Sequence, residues 1–347
     1  MSLLPRVLLT GATGFLGSHL LEALLNKGHE VVILKRSSSN IYRIQNKIDN
    51  VISYDVDLQP LDLAFEEQEI DVVIHTAGRY GRDGCSITKI IESNVMFGVK
   101  LLDACQKYNI DTFINTDTLL QSCVDNYSLS KKHFSDWLKQ CSDEVQIINL
   151  KLEHMYGIKD DKPITEKENC NPESFYGVAK LASEHYMRIY QQYGINSTSL
   201  RLFNVYGPGQ NLDNLRQGMV SIFLAQMLHN RHIHVKGSPN RYRDFIHVHD
   251  VVDAFLECLD CKKSWGQRIN VATGKRTTVG EVIDILCTIY DQDTSVEYSG
   301  STDGDIHGIY ADTSLMLSLF KMEKMITLED GLRDMLAWIS SRNQSNI

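Results

Sequence analysis

The 347-residue sequence has no apolar run long enough to span a membrane, no low-complexity segment, no flexible linker between its parts and no excess of positive charge. Its opening, MSLLPRVLLTGATGFLG, lacks a basic stretch followed by an apolar core, and its first apolar run is too short to cross a bilayer. A cytoplasmic protein with no membrane partner is expected. Lys and Arg number 35 against 44 Asp and Glu, a net charge of −9, which argues against nucleic acid as a partner. The eight cysteines are scattered. Their tightest pair, Cys258 and Cys261 in ECLDCKK, has no second pair or His at zinc-site spacing, so reduced helix cysteines are expected. His247 and His249 in HVHD alternate on an expected strand and, without acidic or cysteine partners, read as structural; no metal site is expected. The length allows one large domain or two coupled ones.

What is present is a regular alternation. RVLLT (6 to 10) is a short apolar run that ends on a glycine cluster, and HLLEALLNKG after it has helical spacing with Gly28 as a stop. Further runs follow at EVVILK (30 to 35), NVISYDVD (50 to 57), DVVIHTAG (71 to 78) and TFINTDT (112 to 118). Strands alternating with helices predict an α/β fold, a Rossmann-type doubly wound parallel sheet. Gly11, Gly14 and Gly17 in GATGFLG fall where backbone must approach a pyrophosphate, and the helix opened by Phe15 and Leu16 aims its free N–H groups at that anion. Sites that select NAD usually carry an acidic residue at the end of the second strand. Here Lys35 and Arg36 stand there, followed by serines. A cation pair suits a 2′-phosphate, although two solvated charges at a strand end are the alternative; NAD or NADP is expected, with NADP favoured.

Two stretches repeat a Tyr-x-x-x-Lys and a similar continuation: Tyr127 to Lys131 leading into LKLEHMYG, and Tyr176 to Lys180 leading into LRLFNVYGPGQ. On a helix, residues four apart share a face, so hydroxyl and ammonium project together. A free phenol, with a pKa of about 10, is a poor base at neutral pH. A neighbouring ammonium and an oxidised nicotinamide stabilise phenolate, and the Tyr can then take a proton from a sugar hydroxyl while hydride leaves the same carbon. Thr118, at the end of the fifth strand, is the candidate for an assisting hydroxyl, with Thr116 one inward pleat earlier.

The G-x-x-G-x-x-G spacing together with YxxxK resembles the extended short-chain dehydrogenase/reductase family, the NAD-dependent epimerase/dehydratases that act on nucleotide sugars, from about residue 6 to about 335. The second half is closest to the UDP-glucose 4-epimerase branch, and the first half is similar to the O-antigen nucleotide-sugar reductases and synthases. The resemblance implies that Asp57 and Leu58 contact adenine, that Ala77 and Gly78 of HTAG lie under the cofactor, and that Asn94 and Thr116 support it. It also implies substrate contacts at Asn204, Val235, Lys236 and Arg243, a nucleotide-sugar substrate that is UDP-linked, and a homodimer.

The second copy, with Tyr176 and Lys180, is favoured, and Thr118 could serve it if residues 119 to 160 form an inserted helix and strand; Tyr127 and Lys131 remain the competing set. The second copy lacks its own hydroxyl, because Lys151-Leu152-Glu153 stands where the family has Ser or Thr. The family's second phosphate-binding Arg is replaced by Thr302 in STDGD. Residues 1–203 are expected to form the dinucleotide domain, and residues 204–347 mainly a smaller substrate lobe with a late core strand near 268–272. Asp250 is expected to cap the helix VVDAFLECL, and Thr278 the helix after it. The leading expectation is a 4-epimerase working through a 4-keto sugar. The alternatives are an NADPH-dependent 4-keto-sugar reductase and a cofactor-binding protein without turnover.

Overall fold

A computed structural model describes residues 4–78, 86, 88–89, 92–110, 112–116, 146–152, 162–168, 198–213, 218–290, 292–300, 307–322 and 324–344. It carries an eight-stranded sheet. In chain order its strands are β1 (Val7–Thr10), β2 (Val31–Lys35), β3 (Ile52–Asp55), β4 (Val72–His75), β5 (Thr112–Thr116), β6 (Gln146–Leu152), β7 (Ser199–Leu202) and, late in the chain, β12 (Arg268–Val271). The spatial order is β12-β7-β6-β5-β4-β1-β2-β3. β1 pairs in parallel with both β2 (Val7 opposite Val31) and β4 (Val7 opposite Val72), so the strand order reverses beside β1. The strands of the two repeated stretches, β6 and β7, are sheet neighbours. The repeat therefore enlarges the doubly wound sheet.

Sequence accounts for these strands directly. VLLT and VVIH are buried at every position, as parallel strands covered on both faces must be. β3, at the sheet edge, leaves Ile52 exposed. Helix α1 (Phe15–Asn26) buries Leu20, Leu21 and Leu24 at helical spacing and stops at Gly28, whose φ of +86° is the left-handed value that ends helices. Helices α2 (Asp62–Glu67) and α3 (Phe97–Lys107) set Ala64, Phe65, Leu101, Ala104 and Cys105 into one core with Leu8, Val32, Val73 and Phe113.

The chain divides into two compact units: residues 1–156, 170–201 and 258–269, and residues 157–169, 202–257 and 270–347. The second unit holds helices α4 (Met219–Asn230), α6 (Val279–Tyr290), α7 (Ser314–Leu319) and α8 (Leu328–Gln344). Phe223, Leu224, Ile233, Val235, Val282, Ile283 and Leu332 share its core. Short pairs complete it: β8 (Asn204–Tyr206) with β11 (Phe245–His247), β9 (His232–Lys236) with β14 (Ser295–Ser299), and β10 (Tyr242–Arg243) with β13 (Thr277–Thr278). Thr278 caps α6 as expected. Its hydroxyl accepts from Glu281 N (3.1 Å) while Glu281 accepts from Thr278 N (2.6 Å), a reciprocal capping box.

Asp250 is not a cap. Helix α5 (Val248–Asp260) begins two residues earlier, and the Asp250 carboxylate instead accepts from Ile326 N at 3.2 Å. The stretch RDFIHV is divided between two strands, β10 and β11. Asp244 interrupts it because its buried carboxylate accepts from Thr273 N (2.9 Å), Gly274 N (2.9 Å) and Ala311 N (3.2 Å). A buried carboxylate is tolerable only with such donors.

Candidate dinucleotide site

The first unit encloses a cavity of about 900 Å³ at the ends of β1, β2 and β4, the size of a small-molecule site and the position at which doubly wound sheets bind ligands. Its floor is the glycine loop. Gly11 adopts φ +75°, and a Cβ there would stand 2.6 Å from Ala77 N and from Thr76 Oγ1. A Cβ on Gly17 would fall inside contact distance of the Gly11 carbonyl oxygen and 2.9 Å from Thr76 Oγ1. Gly14 N donates to Gly11 O at 2.9 Å and closes the turn. Helix α1 has no side-chain cap and no acid in its first turn, so its N-terminal positive potential is not offset there.

A hydrogen-bond weld joins this floor to the end of β4. Thr76 Oγ1 donates to Thr10 O (2.8 Å), Thr10 Oγ1 and His75 Nδ1 lie 2.6 Å apart in a buried bond, and Ala77 N donates to Thr10 Oγ1 (3.4 Å). The small residues Thr76, Ala77 and Gly78 therefore line the cavity beside Gly11 and Gly14. This cradle fits a dinucleotide. Two glycines admit a backbone-close pyrophosphate, and Gly17 brings the helix start against the loop.

The expected cofactor residues Gly11, Gly14, Lys35, Arg36, Asp57, Ala77 and Gly78 all line the cavity. Gly17 packs beneath it, and Phe15 and Leu16 supply the first turn of α1. Leu58 is 78% exposed and does not line it. Asn94 lies in a π-helical turn (Glu92–Met96) and Thr116 ends β5, but their side chains fall outside the described residues, as do Thr118, Tyr127, Lys131, Tyr176 and Lys180 entirely. Thr302 falls outside them too. Sequence reasoning passed over Thr13, Ser38, Ser39, Phe97 and Lys100, which also line the cavity. Serines after the second strand were the only signal among these.

The two cations after β2 are not equivalent. Lys35 Nζ pairs with Asp55 Oδ2 at 3.4 Å, and Ser37 Oγ donates to the same carboxylate at 2.9 Å. Burial pushes the Asp55 carboxyl up, but Ser37, the Asp57 N–H and Lys35 outweigh it and hold the group below the ordinary carboxylate range. Lys35 thus has its charge offset. Arg36 is exposed, and among the described residues its guanidinium has no ion-pair partner.

In the second unit, Arg243 is 4% exposed and donates from Nη1 to Tyr242 O (2.7 Å). Asn204 Nδ2 reaches Asp244 O at 3.5 Å, Val235 is fully buried in the core, and Lys236 is exposed. His247 and His249 do not alternate on a strand. His247 ends β11, His249 lies in the first turn of α5, and both come near an acidic partner, Asp334 of α8. His249 N donates to His247 Nδ1 (3.4 Å), and His247 Nε2 faces Asp334 Oδ2 at 3.5 Å.

A doubly wound sheet with a glycine-loop cavity at its switch point defines a Rossmann-type dinucleotide-binding protein. The chain matches the family model described as GDP-mannose 4,6 dehydratase over residues 8–306, and it belongs to that family, within the NAD-dependent epimerase/dehydratases of the short-chain dehydrogenase/reductases. A UDP-glucose 4-epimerase of Mycolicibacterium smegmatis is 25% identical over 353 residues, covering 98% of this chain and 100% of that protein. A CDP-abequose synthase of Salmonella typhimurium is 35% identical over 168 residues, 44% of this chain and 54% of its own length. The UDP-N-acetylglucosamine 4-epimerase of Methanobrevibacter ruminantium, solved in complex with UDP-N-acetylmuramic acid, matches with a TM-score of 0.75 at 26% identity over 97% of this chain and 99% of that one. No helix among the described residues is long and apolar enough to cross a membrane.

Proposed function

We propose that this chain is a cytoplasmic, homodimeric nucleotide-sugar 4-epimerase acting on a UDP-linked sugar, with NADP favoured over NAD. The observation that carries this reading is likeness along nearly the whole chain to two 4-epimerases. A bound nicotinamide supplies a hydride acceptor that can return what it takes. Tyr176 removes the proton of the sugar 4-hydroxyl and later restores it, Lys180 lowers the Tyr176 pKa, and Thr118 hydrogen-bonds the 4-oxygen. Tyr127 and Lys131 are the competing pair. Arg243 holds the diphosphate, where paired anionic oxygens suit a guanidinium, with Asn204 near the sugar or phosphate and Val235 and Lys236 around the base.

The test is turnover. Purified protein given UDP-glucose or UDP-galactose should interconvert them without net consumption of cofactor. NADPH consumption with a 4-keto sugar would instead favour a reductase, a reading that the 35% identity to CDP-abequose synthase supports. Binding of cofactor without turnover of any sugar nucleotide would contradict both.

The NADP preference rests on Arg36. A charge-assisted bond to a 2′-phosphate contributes about 1.5–3 kcal/mol, so Arg36→Ala is expected to weaken NADP binding about 10- to 150-fold and leave NAD binding nearly unchanged. Titration of each cofactor by calorimetry checks it.

A further inference from the structure

We infer that the face of the β9–β14 pair turned away from the core binds a divalent transition-metal ion such as Zn²⁺, with His232, His234 and Glu297 as its ligands. The inference is independent of the activity proposed above and uses none of the residues assigned to the reaction.

The pairing of the two strands brings the ligands together. β9 and β14 run parallel, with His232 opposite Ser295 and His234 opposite Glu297. Successive side chains of a strand take opposite faces. Ile233 and Val235 are fully buried and Val296 packs on the same core, so His232, His234, Ser295, Glu297 and Ser299 share the other face. Two imidazoles at alternate positions of one strand, with a carboxylate directly across on its neighbour, can converge on a single ion. His234 N donates to Gln226 Oε1 of α4 at 2.9 Å, which ties the strand carrying both imidazoles to a helix.

The distances suit an ion of this kind. Glu297 Oε2 stands 3.6 Å from His232 Nε2. Two ligands, each about 2.0–2.1 Å from a tetrahedral zinc, are about 3.4 Å apart, so this pair has nearly the spacing that a shared ion requires. The serines of β14 supply the outer partners: His232 Nδ1 lies 2.8 Å from Ser295 Oγ, and His234 Nε2 lies 2.7 Å from Ser299 Oγ. A metal-bound imidazole donates its other ring N–H to such an acceptor, which fixes the ring and its tautomer. His232 therefore offers Nε2 to the ion and His234 offers Nδ1. Completing the set takes a side-chain rotation, open to Glu297 at 59% exposure. Three protein ligands leave a tetrahedral ion one position for water, and the bound ion cross-links β14 to β9.

Zn²⁺ binding to the metal-free full chain, measured by equilibrium dialysis and calorimetry, tests this. The wild type should take up Zn²⁺ at this face, His232→Asn, His234→Asn and Glu297→Gln should each weaken that uptake at least about 100-fold, and Ser295→Ala about 10-fold. Zn²⁺ should raise the melting temperature of the wild type and not that of the three ligand variants. Metal-free melts at the wild-type temperature report that each variant is folded. His249→Ala, which alters the separate group of His247, His249 and Asp334, should leave the uptake unchanged. No uptake by the wild type would overturn the inference. So would uptake that survives all three ligand substitutions, or that is abolished by His249→Ala or by blocking the thiols instead.

Discussion

Replacing Tyr176 with Phe is expected to lower sugar-nucleotide interconversion about 10²- to 10⁴-fold, the range over which a positioned general acid–base acts. Tyr127→Phe should leave the rate near that of the wild type. The substitution removes one hydroxyl from either copy, so the comparison isolates proton transfer from packing. The first copy, YSLSKKHFSDWLKQC, has a narrow apolar stripe, which suits a surface helix. The second, with Gly177, Ala179 and Ala182, has small residues that permit close approach to a cofactor. Full activity in Tyr176→Phe with loss in Tyr127→Phe would reverse the assignment. Cofactor titration of both variants should give wild-type affinities, which separates a catalytic loss from a binding loss.

Gly17→Val is expected to abolish dinucleotide binding, a weakening of at least about 100-fold, larger than that of any single cation variant. Gly17 is helical, so the substitution does not strain its φ. The obstacle is space. Any Cβ meets the Gly11 carbonyl oxygen and Thr76 Oγ1, and both are fixed: Gly11 by its left-handed conformation, Thr76 by its bond to Thr10 O. The helix start would have to lift from the loop, and the N–H groups aimed at the pyrophosphate would lift with it. Fluorescence or calorimetric titration with NADP⁺ measures the loss, and a thermal melt reports the accompanying loss of stability. Near-native affinity would mean that α1 does not carry the anion site.

Much of this was legible in the sequence because it is local. Strands such as VLLT and VVIH announce themselves by apolar runs of three, and Gly11, Gly14 and Gly17 by their place between a strand and a helix. The Thr278 cap was equally readable, and its Glu281 partner stands three positions on. What was missed depends on chain path. Asp334 reaches His247 of β11 from helix α8, so HVHD alone did not show this acidic partner. Asp244 separates β10 from β11 because three backbone donors from distant segments outweigh one register of β pairing. Helix α5 starts three residues before the expected Val251 because β11 runs straight into it, leaving no loop in which Asp250 could cap.

The most direct test of the proposed activity follows a label. UDP-glucose carrying deuterium at C4, incubated with the purified protein and NADP⁺, should yield UDP-galactose that retains deuterium at C4, with no accumulation of reduced cofactor. A 4-epimerase returns to the same carbon the hydrogen it removed, so retention is the outcome the account predicts. No conversion of the label, alongside NADPH consumption when a nucleotide 4-keto sugar is supplied, would contradict it and make the chain a reductase.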